Sequence, residues 1–192
     1  CSEFLDWAVG QLQLAPRYIP VVLINRYAPA AMGPNEGASR DAVPQVYFSK
    51  PAEQATLETL KEFALHITAS ACAIAKQRKV YMVRPIPEMG IDVPKTLSRR
   101  MAWGWSGDLS ISLAQYHQRN DWVWAAQDAA HVQCGVQILD PTAYLCHDGR
   151  CDGSRNGWPL YHDDDHLSEF GNKLLVPMFA EVFKDLPPAT QP

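Results

Sequence analysis

The sequence predicts an α/β fold in which helices cover both faces of a parallel sheet. Three short apolar runs, Val21–Ile24, Val80–Val83 and Val136–Leu139, are typical of buried parallel strands. Segments with helical spacing precede, separate and follow these runs, and such alternation favours a parallel sheet. The 192 residues, 47% of them hydrophobic, are enough chain for one domain with a real core.

The remaining elements are predicted from apolar spacing and from breakers. Gly135 ends the third predicted helix, and Pro177 is expected to kink the last one. The predicted helices cover residues 3–13, 52–79, 122–133 and 167–184. Two segments without a clear period, 28–52 and 88–110, are predicted to be loops.

The charge pattern excludes several classes of function. There are 17 basic and 21 acidic side chains, for a net charge of −4. This balance offers no basic surface for nucleic acid and no basic run that would hold an anionic membrane. No stretch approaches the roughly 20 apolar residues of a membrane-spanning helix.

The five cysteines suggest an oxidising compartment. Cys146 and Cys151 flank a polar, turn-like segment in which a short disulfide loop fits. A metal pair is the alternative, although zinc ligands usually come at closer spacing. Cys72 and Cys134 lie in helical segments and are interpreted as buried thiols. Cys1 has no obvious partner, so its partner is expected outside the sequence, and a lipoprotein beginning at this residue is an alternative.

The most informative segment is Tyr161–Gly171. Asp163 and His166 stand three residues apart where a loop meets the last helix. That spacing lets the carboxylate contact Nδ1 of the imidazole and leaves Nε2 as a general base. Two other interpretations stay open. Ser168 or Asp165 would simply cap the helix, or the two histidines and three aspartates would bind a divalent metal.

Asp163-x-x-His166 before a C-terminal helix resembles the last block of the SGNH hydrolase and acyltransferase superfamily. The wider sequence resembles the periplasmic SGNH domain of family 3 membrane acyltransferases, the O-acetylases of lipopolysaccharide, peptidoglycan and related glycans. Motifs over nearly the whole chain match: Val21-Val22-Leu23, Arg84 to Met89, Asp92-Val93-Pro94, Leu139-Asp140-Pro141, Leu145-Cys146, Gly149-Arg150-Cys151, Pro159-Leu160-Tyr161 and Asp164 to Ser168.

The resemblance implies a serine nucleophile, an oxyanion hole and no cofactor. His166 is then the base and Asp163 its orienting partner. Asn25, at the end of the first strand, is the candidate for stabilising the oxyanion, and Arg26 is its rival, since Ile24-Asn25-Arg26 departs from the superfamily's Gly-x-Asn-Asp. Alternatively, Asn25 only ends the strand.

The nucleophile is missing from the matching motifs. The family carries it in a Gly-Asp-Ser block after the first strand. Gly107-Asp108-Leu109-Ser110 follows a later strand, so Ser106 and Ser110 are poor candidates. In a flavodoxin-like three-layer fold of strand order 2-1-3-4-5, the visible strands are the third to fifth. Residues 1–192 are therefore expected to be a partial SGNH domain that lacks the first two strands, about 60 residues before Cys1.

The resulting expectation is an O-acyltransferase that moves an acetyl group to a cell-surface glycan through an acyl-serine, with this fragment alone inactive. The acetyl donor would come through a membrane acyltransferase domain, and the chain would be a periplasmic domain of a bacterial inner-membrane protein. The alternatives are an SGNH esterase or deacetylase, and a non-catalytic module that positions a glycan. Trp103, Trp105 and Tyr116 would stack on sugars or, more simply, pack within the fold.

Overall fold

The computed structural model describes residues 2–35, 43–184 and 186. Its helices, in chain order, are α1 (Ser2–Leu14), α2 (Tyr27–Met32), α3 (Leu57–Ala75), α4 (Val93–Ala102), α5 (Leu113–Cys134), α6 (Thr142–Leu145), α7 (Glu169–Leu174) and α8 (Val176–Phe183). Its strands are β1 (Val21–Leu23), β2 (Val80–Val83), β3 (Ser110–Ser112), β4 (Gln137–Leu139), β5 (Cys146–His147), β6 (Arg150–Asp152), β7 (Ser154–Arg155) and β8 (Trp158–Pro159). No helix in this part of the chain is long and apolar enough to cross a membrane.

The central sheet is parallel and has the order β1-β2-β4. Val21 lies opposite Val80, and Tyr81 lies opposite Gln137. The three strands coincide with the predicted apolar runs, so the predicted α/β fold with a parallel sheet is confirmed. Every residue of β2 is buried, whereas β1 is half-buried and forms an edge of the sheet within the described residues.

The middle strand β2 divides the core in two, because successive side chains of a strand point to opposite faces. Val80 and Met82 belong to a cluster built with residues of α3 and α5. Tyr81 and Val83 belong to a second cluster, built with residues of α4 and α8. Helices therefore cover both faces of the sheet, as the alternating pattern predicts.

The longest helix, α5, begins at Leu113 rather than at the predicted Trp122. Its start is set by a reciprocal cap between Ser112 and Gln115. The Ser112 hydroxyl accepts from the Gln115 N–H at 3.1 Å, and the Gln115 side chain accepts from the Ser112 N–H at 2.9 Å. Its end at the left-handed Gly135 agrees with the prediction. The last predicted helix is two helices, α7 and α8, which meet at Leu175.

The prediction of loops over 28–52 and 88–110 is wrong in part. The first segment begins within α2, and the second contains α4. Asp92 caps α4 by accepting from the Lys95 N–H at 2.9 Å, and Pro94 occupies its first turn. Only two of its side chains, Val93 and Leu97, are buried. Two buried apolar positions one turn apart are too few to define a helical period, so the sequence pattern does not predict this helix.

Two small antiparallel units join the sheet to the last helices, and neither is predicted. β3, β6 and β5 form one, and β7 with β8 forms the other. Cys146 lies opposite Cys151 across the β5–β6 hairpin and is disulfide-bonded to it, which confirms the predicted bridge. Asp148 and Gly149, both with positive φ, form the turn between them.

A second disulfide joins Cys72 of α3 to Cys134 at the end of α5. The interpretation of these cysteines as buried thiols is therefore wrong, because sequence spacing does not show that the two helices lie side by side. Two disulfides indicate an extracytoplasmic, oxidising compartment. Cys1 lies outside the described residues.

The two disulfides are expected to contribute unequally to stability. Cys72 and Cys134 are 62 residues apart, and Cys146 and Cys151 are 5 apart. Loop-closure entropy gives about 4 kcal/mol for the long loop and about 2 kcal/mol for the short one. In urea unfolding followed by circular dichroism, the double variant C72S/C134S should lose more stability than C146S/C151S. Equal losses, or the reverse order, would contradict this expectation.

Gly171 is predicted to be irreplaceable in the first turn of α7. A Cβ at this position would lie 2.1 Å from the backbone oxygen of Leu160. Gly171→Ala should therefore lower the free energy of unfolding by about 1–3 kcal/mol. The matched control is Gly10→Ala in α1, where a Cβ meets nothing within 4 Å and the helix should gain about 0.5–1 kcal/mol. Similar melting temperatures for the two variants would rule out this packing constraint.

Candidate active site

The loop that carries the predicted dyad is short and firmly held. Tyr161 and Leu167 form a β-bridge at its base, and the His162 N–H donates to the His166 carbonyl at 2.7 Å. The segment that follows β2 holds it from the side. There the Met89 N–H donates to the Asp164 carbonyl at 2.7 Å, and the Val93 N–H donates to the Asp163 carbonyl at 3.0 Å.

The structure brings Asp163 and His166 together as the sequence predicts. Nδ1 of His166 lies 2.8 Å from Oδ2 of Asp163, and the His166 backbone N–H donates to Oδ1 at 2.7 Å. Burial raises the pKa of Asp163, but the hydrogen bonds from the His166 backbone and ring outweigh it, so the pKa lies below 3.8. The carboxylate thus holds Nδ1 as the donor, which leaves Nε2 available as a base. The His166 side chain is 65% exposed.

A second carboxylate contacts the same ring nitrogen. Oδ1 of Asp165 lies 2.8 Å from Nδ1 of His166, and the Asp165 side chain is only 2% exposed. The Arg26 guanidinium pairs with Oδ2 of Asp165. Because a buried carboxylate needs a compensating charge, Arg26 is the group that allows Asp165 to lie beneath the imidazole.

Arg26 is itself held by a further buried carboxylate. Nε of Arg26 lies 4.0 Å from Oε1 of Glu88, and Nε of Arg119 lies 2.6 Å from Oε2 of Glu88. Arg119 also donates to the Gly33 carbonyl at 2.8 Å. The sequence predicts Asp165 only as a helix cap or a metal ligand, and it predicts no role for Glu88 or Arg119. The signal available for Glu88 was its place in the Arg84–Met89 motif.

The site opens into a cavity of about 390 Å³ at the carboxyl ends of the parallel strands, where α/β folds bind their ligands. Asn25 and Arg26 reach it from the end of β1, and Arg84 reaches it from the end of β2. Its lining also includes His166 and apolar side chains such as Phe179. The structure therefore places both oxyanion candidates and the predicted base around one cavity.

Asn25 and Arg26 differ in how their side chains are engaged. Nδ2 of Asn25 donates to the Tyr27 hydroxyl at 3.2 Å, and burial raises the pKa of that hydroxyl. The Arg26 guanidinium is committed to two carboxylates, as described above. Arg84 stacks on the Trp124 ring at 3.7 Å and pairs with Asp128 at 2.6 Å.

No serine, threonine or cysteine lines the cavity in the described part of the chain. Ser110 accepts from Nε of Arg150 at 3.0 Å, and Ser106 lies beside a different hollow. Ser168 is the N-cap of α7, accepting from the Gly171 N–H at 3.1 Å. The capping interpretation therefore holds for Ser168, alongside the dyad.

The charges around Asp163, Asp165 and His166 disfavour the alternative that these residues bind a metal ion. Asp163, Asp165 and His166 offer one ligand atom each, all within 4.8 Å of one another. The same atoms already pair Nδ1 with the two carboxylates, and the Arg26 guanidinium sits on Asp165. A fixed positive charge at that position opposes a cation. That the site uses no metal stays a prediction.

Asp163 is expected to stabilise the fold at neutral pH and to lose this contribution in acid. Its pKa is lowered in the folded chain, so its contribution is present above about 3.8 and is lost as the pH falls through the lowered value. Asp163→Asn should therefore cost about 1 kcal/mol at neutral pH, the upper range for an exposed pair, and progressively less in acid. Urea unfolding between neutral and strongly acidic pH measures both values. The control is Asp121→Asn, which removes the exposed 2.7 Å pair with His117 and should lower the free energy of unfolding by less. If Asp163→Asn lost more stability in acid than at neutral pH, the lowered pKa of Asp163 would be contradicted.

The chain is similar to a solved protein domain and to a known protein family. Among solved structures, the periplasmic domain of the lipopolysaccharide acetyltransferase of Salmonella ser. Paratyphi A is similar, with 15% identity and a TM-score of 0.46. The match covers 65% of this chain and 48% of that one, so this chain spans about half the length of the structure it matches. No curated protein matches it. The family model for the SGNH domain fused to AT3 domains matches residues 1–181, and the chain therefore belongs to this family.

Proposed function

We propose that the chain contributes the acid–base half of an SGNH-type O-acyltransferase site that acetylates a hydroxyl of a cell-surface glycan. The observation that carries the proposal is the Asp163–His166 pair, with 2.8 Å between Oδ2 and Nδ1, at the edge of an apolar cavity. An imidazole held in this way is the base that activates a hydroxyl nucleophile. The family's fusion to AT3 domains supports acyl transfer as the chemistry.

In the first step, Nε2 of His166 takes the proton of a serine hydroxyl as its oxygen attacks the acetyl carbonyl of the donor. The proton then passes to the leaving group of the donor, whose bond to the acetyl carbon breaks, and acetyl-serine remains. In the second step, Nε2 takes the proton of a glycan hydroxyl that attacks the acetyl group. The serine oxygen leaves with that proton, and the product is an O-acetylated glycan.

We propose that the serine lies in a Gly-Asp-Ser segment before Cys1, within a domain of which residues 1–192 are the later part. Two features support this. The cavity is lined by no hydroxyl or thiol side chain among the described residues other than the phenol of Tyr27. The apolar strand β1 leaves one edge open in the described sheet, where a further parallel strand would pair.

The oxyanion is assigned to Asn25 together with backbone amides. Asn25 supports this role because it lines the cavity and its amide carries a second N–H beside the one given to Tyr27. Arg26 is assigned to charge compensation instead, because its guanidinium pairs with Asp165 and lies near Glu88.

The acetyl donor is proposed to reach the site through the AT3 membrane acyltransferase domain, with the chain on the periplasmic side of a bacterial inner membrane. The two disulfides and the family's fusion to AT3 domains support this placement. The acceptor is a glycan, with no nucleic acid and no cofactor.

The test uses a longer protein in which the Gly-Asp-Ser segment precedes Cys1. Turnover of a small acetyl ester should fall by about 10²–10⁴-fold in His166→Ala, because the general base is lost. Asn25→Ala should lower it by about 10²-fold or more. The matched control is His117→Ala, since His117 makes an equally close pair with Asp121 on the exposed surface of α5 and should leave turnover unchanged.

Three outcomes would contradict the proposal or part of it. Turnover of His166→Ala within threefold of the unchanged protein would exclude His166 as the base. Unchanged glycan acetylation by the membrane protein carrying His166→Ala would favour the non-catalytic glycan-positioning module. Mass spectrometry distinguishes the third outcome. Release of acetate without formation of an acetylated glycan would favour an esterase or deacetylase.

A further inference from the structure

The end of α4 and the loop after it present large apolar side chains to solvent. All residues of 101–108 are exposed. Met101, Trp103 and Trp105 are 69%, 75% and 61% exposed. Trp158 is also 69% exposed. It follows the turn at Asn156 and Gly157, which lines the same cavity of about 510 Å³ as Met101 and Trp105. We call Met101, Trp103, Trp105 and Trp158 the tryptophan patch.

The tip of this loop is ordered by its own backbone. The Trp105 N–H donates to the Arg100 carbonyl at 2.9 Å, and the Gly104 N–H donates to the Met101 carbonyl at 3.0 Å. Gly104, with φ of 74°, makes the reversal between the two tryptophans. The Trp103 and Trp105 rings meet at 89° with centroids 5.8 Å apart. The indoles therefore hold each other in an exposed position instead of folding onto the core.

Basic side chains adjoin the patch on α4. Lys95 and Arg99 are exposed and Arg100 is half-buried, and within the described residues no carboxylate forms an ion pair with any of them. The acidic residue of the loop, Asp108, is engaged locally: it accepts from the Ser154 hydroxyl and from the Asn156 and Gly157 N–H groups, at 2.8–2.9 Å. Asp108 still carries its negative charge, but the cations Lys95, Arg99 and Arg100 outnumber it beside the patch, on a chain whose net charge is −4.

We propose that the tryptophan patch is a contact surface for an anionic phospholipid membrane. Indole rings settle at the headgroup level of a bilayer, and adjacent arginines attract anionic headgroups. A sugar platform needs hydrogen-bond acceptors as well as donors directed at hydroxyls, and the one carboxylate of the loop, Asp108, already accepts three hydrogen bonds within the protein. The sequence contains no basic run that would hold an anionic membrane. In the fold, however, α4 and the loop after it bring basic and apolar side chains together on one surface.

The placement of α4 gives this contact a consequence for the active site. Its first residue, Val93, donates to the Asp163 carbonyl at 3.0 Å, and its last turn leads into the patch. Ten helical residues span about 15 Å. A membrane held at the patch would keep the dyad within about one helix length of the lipid surface. The inference does not depend on the proposed acyl transfer, because it is measured by vesicle binding and not by turnover.

The test is vesicle flotation of the 192-residue chain with phosphatidylcholine vesicles, with and without about 30% phosphatidylglycerol. The chain should float with the anionic vesicles and much less with the neutral ones. Trp103→Ala with Trp105→Ala should lower the partition coefficient about tenfold or more. Arg99→Gln with Arg100→Gln should lower it about tenfold on anionic vesicles and leave neutral vesicles unchanged.

Matched controls separate the patch from general effects. Trp7→Ala removes another exposed tryptophan, on α1, and Lys61→Gln removes an exposed charge on α3; both should bind like the unchanged chain. Thermal melting verifies that the variants fold. The proposal is overturned by absent vesicle binding, by equal losses in the controls, by patch-dependent binding of soluble oligosaccharides without vesicle binding, or by patch-dependent dimerisation in light scattering.

Discussion

The buried carboxylate of Asp165 is the constraint on which the site depends. An ionised carboxylate away from water is costly unless opposite charge and hydrogen bonds compensate it. Here the compensation comes from Arg26 at the end of β1. Arg26 also approaches Glu88 after β2, and Glu88 pairs with Arg119 of α5. Alternating charges thus connect two strand ends, one helix and the 162–166 loop.

This network separates the support of the imidazole from its chemistry. Asp163 is accessible to water, and an exposed Asp–His pair contributes little to folding stability. Asp165 lies beneath the ring and is fixed by Arg26. The shape of the loop therefore rests on buried groups, while Asp163 is left to hold Nδ1 of the ring as a donor. The Arg26 side chain is 41% exposed, yet removing it would take the compensating cation from a carboxylate that is only 2% exposed.

The parts predicted from sequence are those with a strong local pattern. The apolar runs at 21–24, 80–83 and 136–139 predict the strands, and the run at 80–83, which is buried on both faces, contains no polar position. The Asp163–His166 contact follows from a spacing of three residues. The Cys146–Cys151 bridge follows from a short turn. Each of these depends on residues that are close along the chain.

The missed features depend on residues that are distant along the chain. The Cys72–Cys134 bridge needs α3 and α5 to lie side by side, which no local spacing reveals. The pairing of Arg26 with Asp165 joins opposite ends of the sequence. The helix α4 has only two buried side chains, so its existence depends on a cap and on packing instead of periodicity.

The bond between α3 and α5 has a consequence for how the molecule opens. A covalent link between the two helices on one face of the sheet makes that layer a single cooperative unit. In the opposite layer, α7 and α8 near the imidazole have no disulfide to another helix within the described residues, and the Cys146–Cys151 bridge closes only a local hairpin. Local opening should thus begin on the side of the cavity beside His166, while the linked layer keeps the sheet in register.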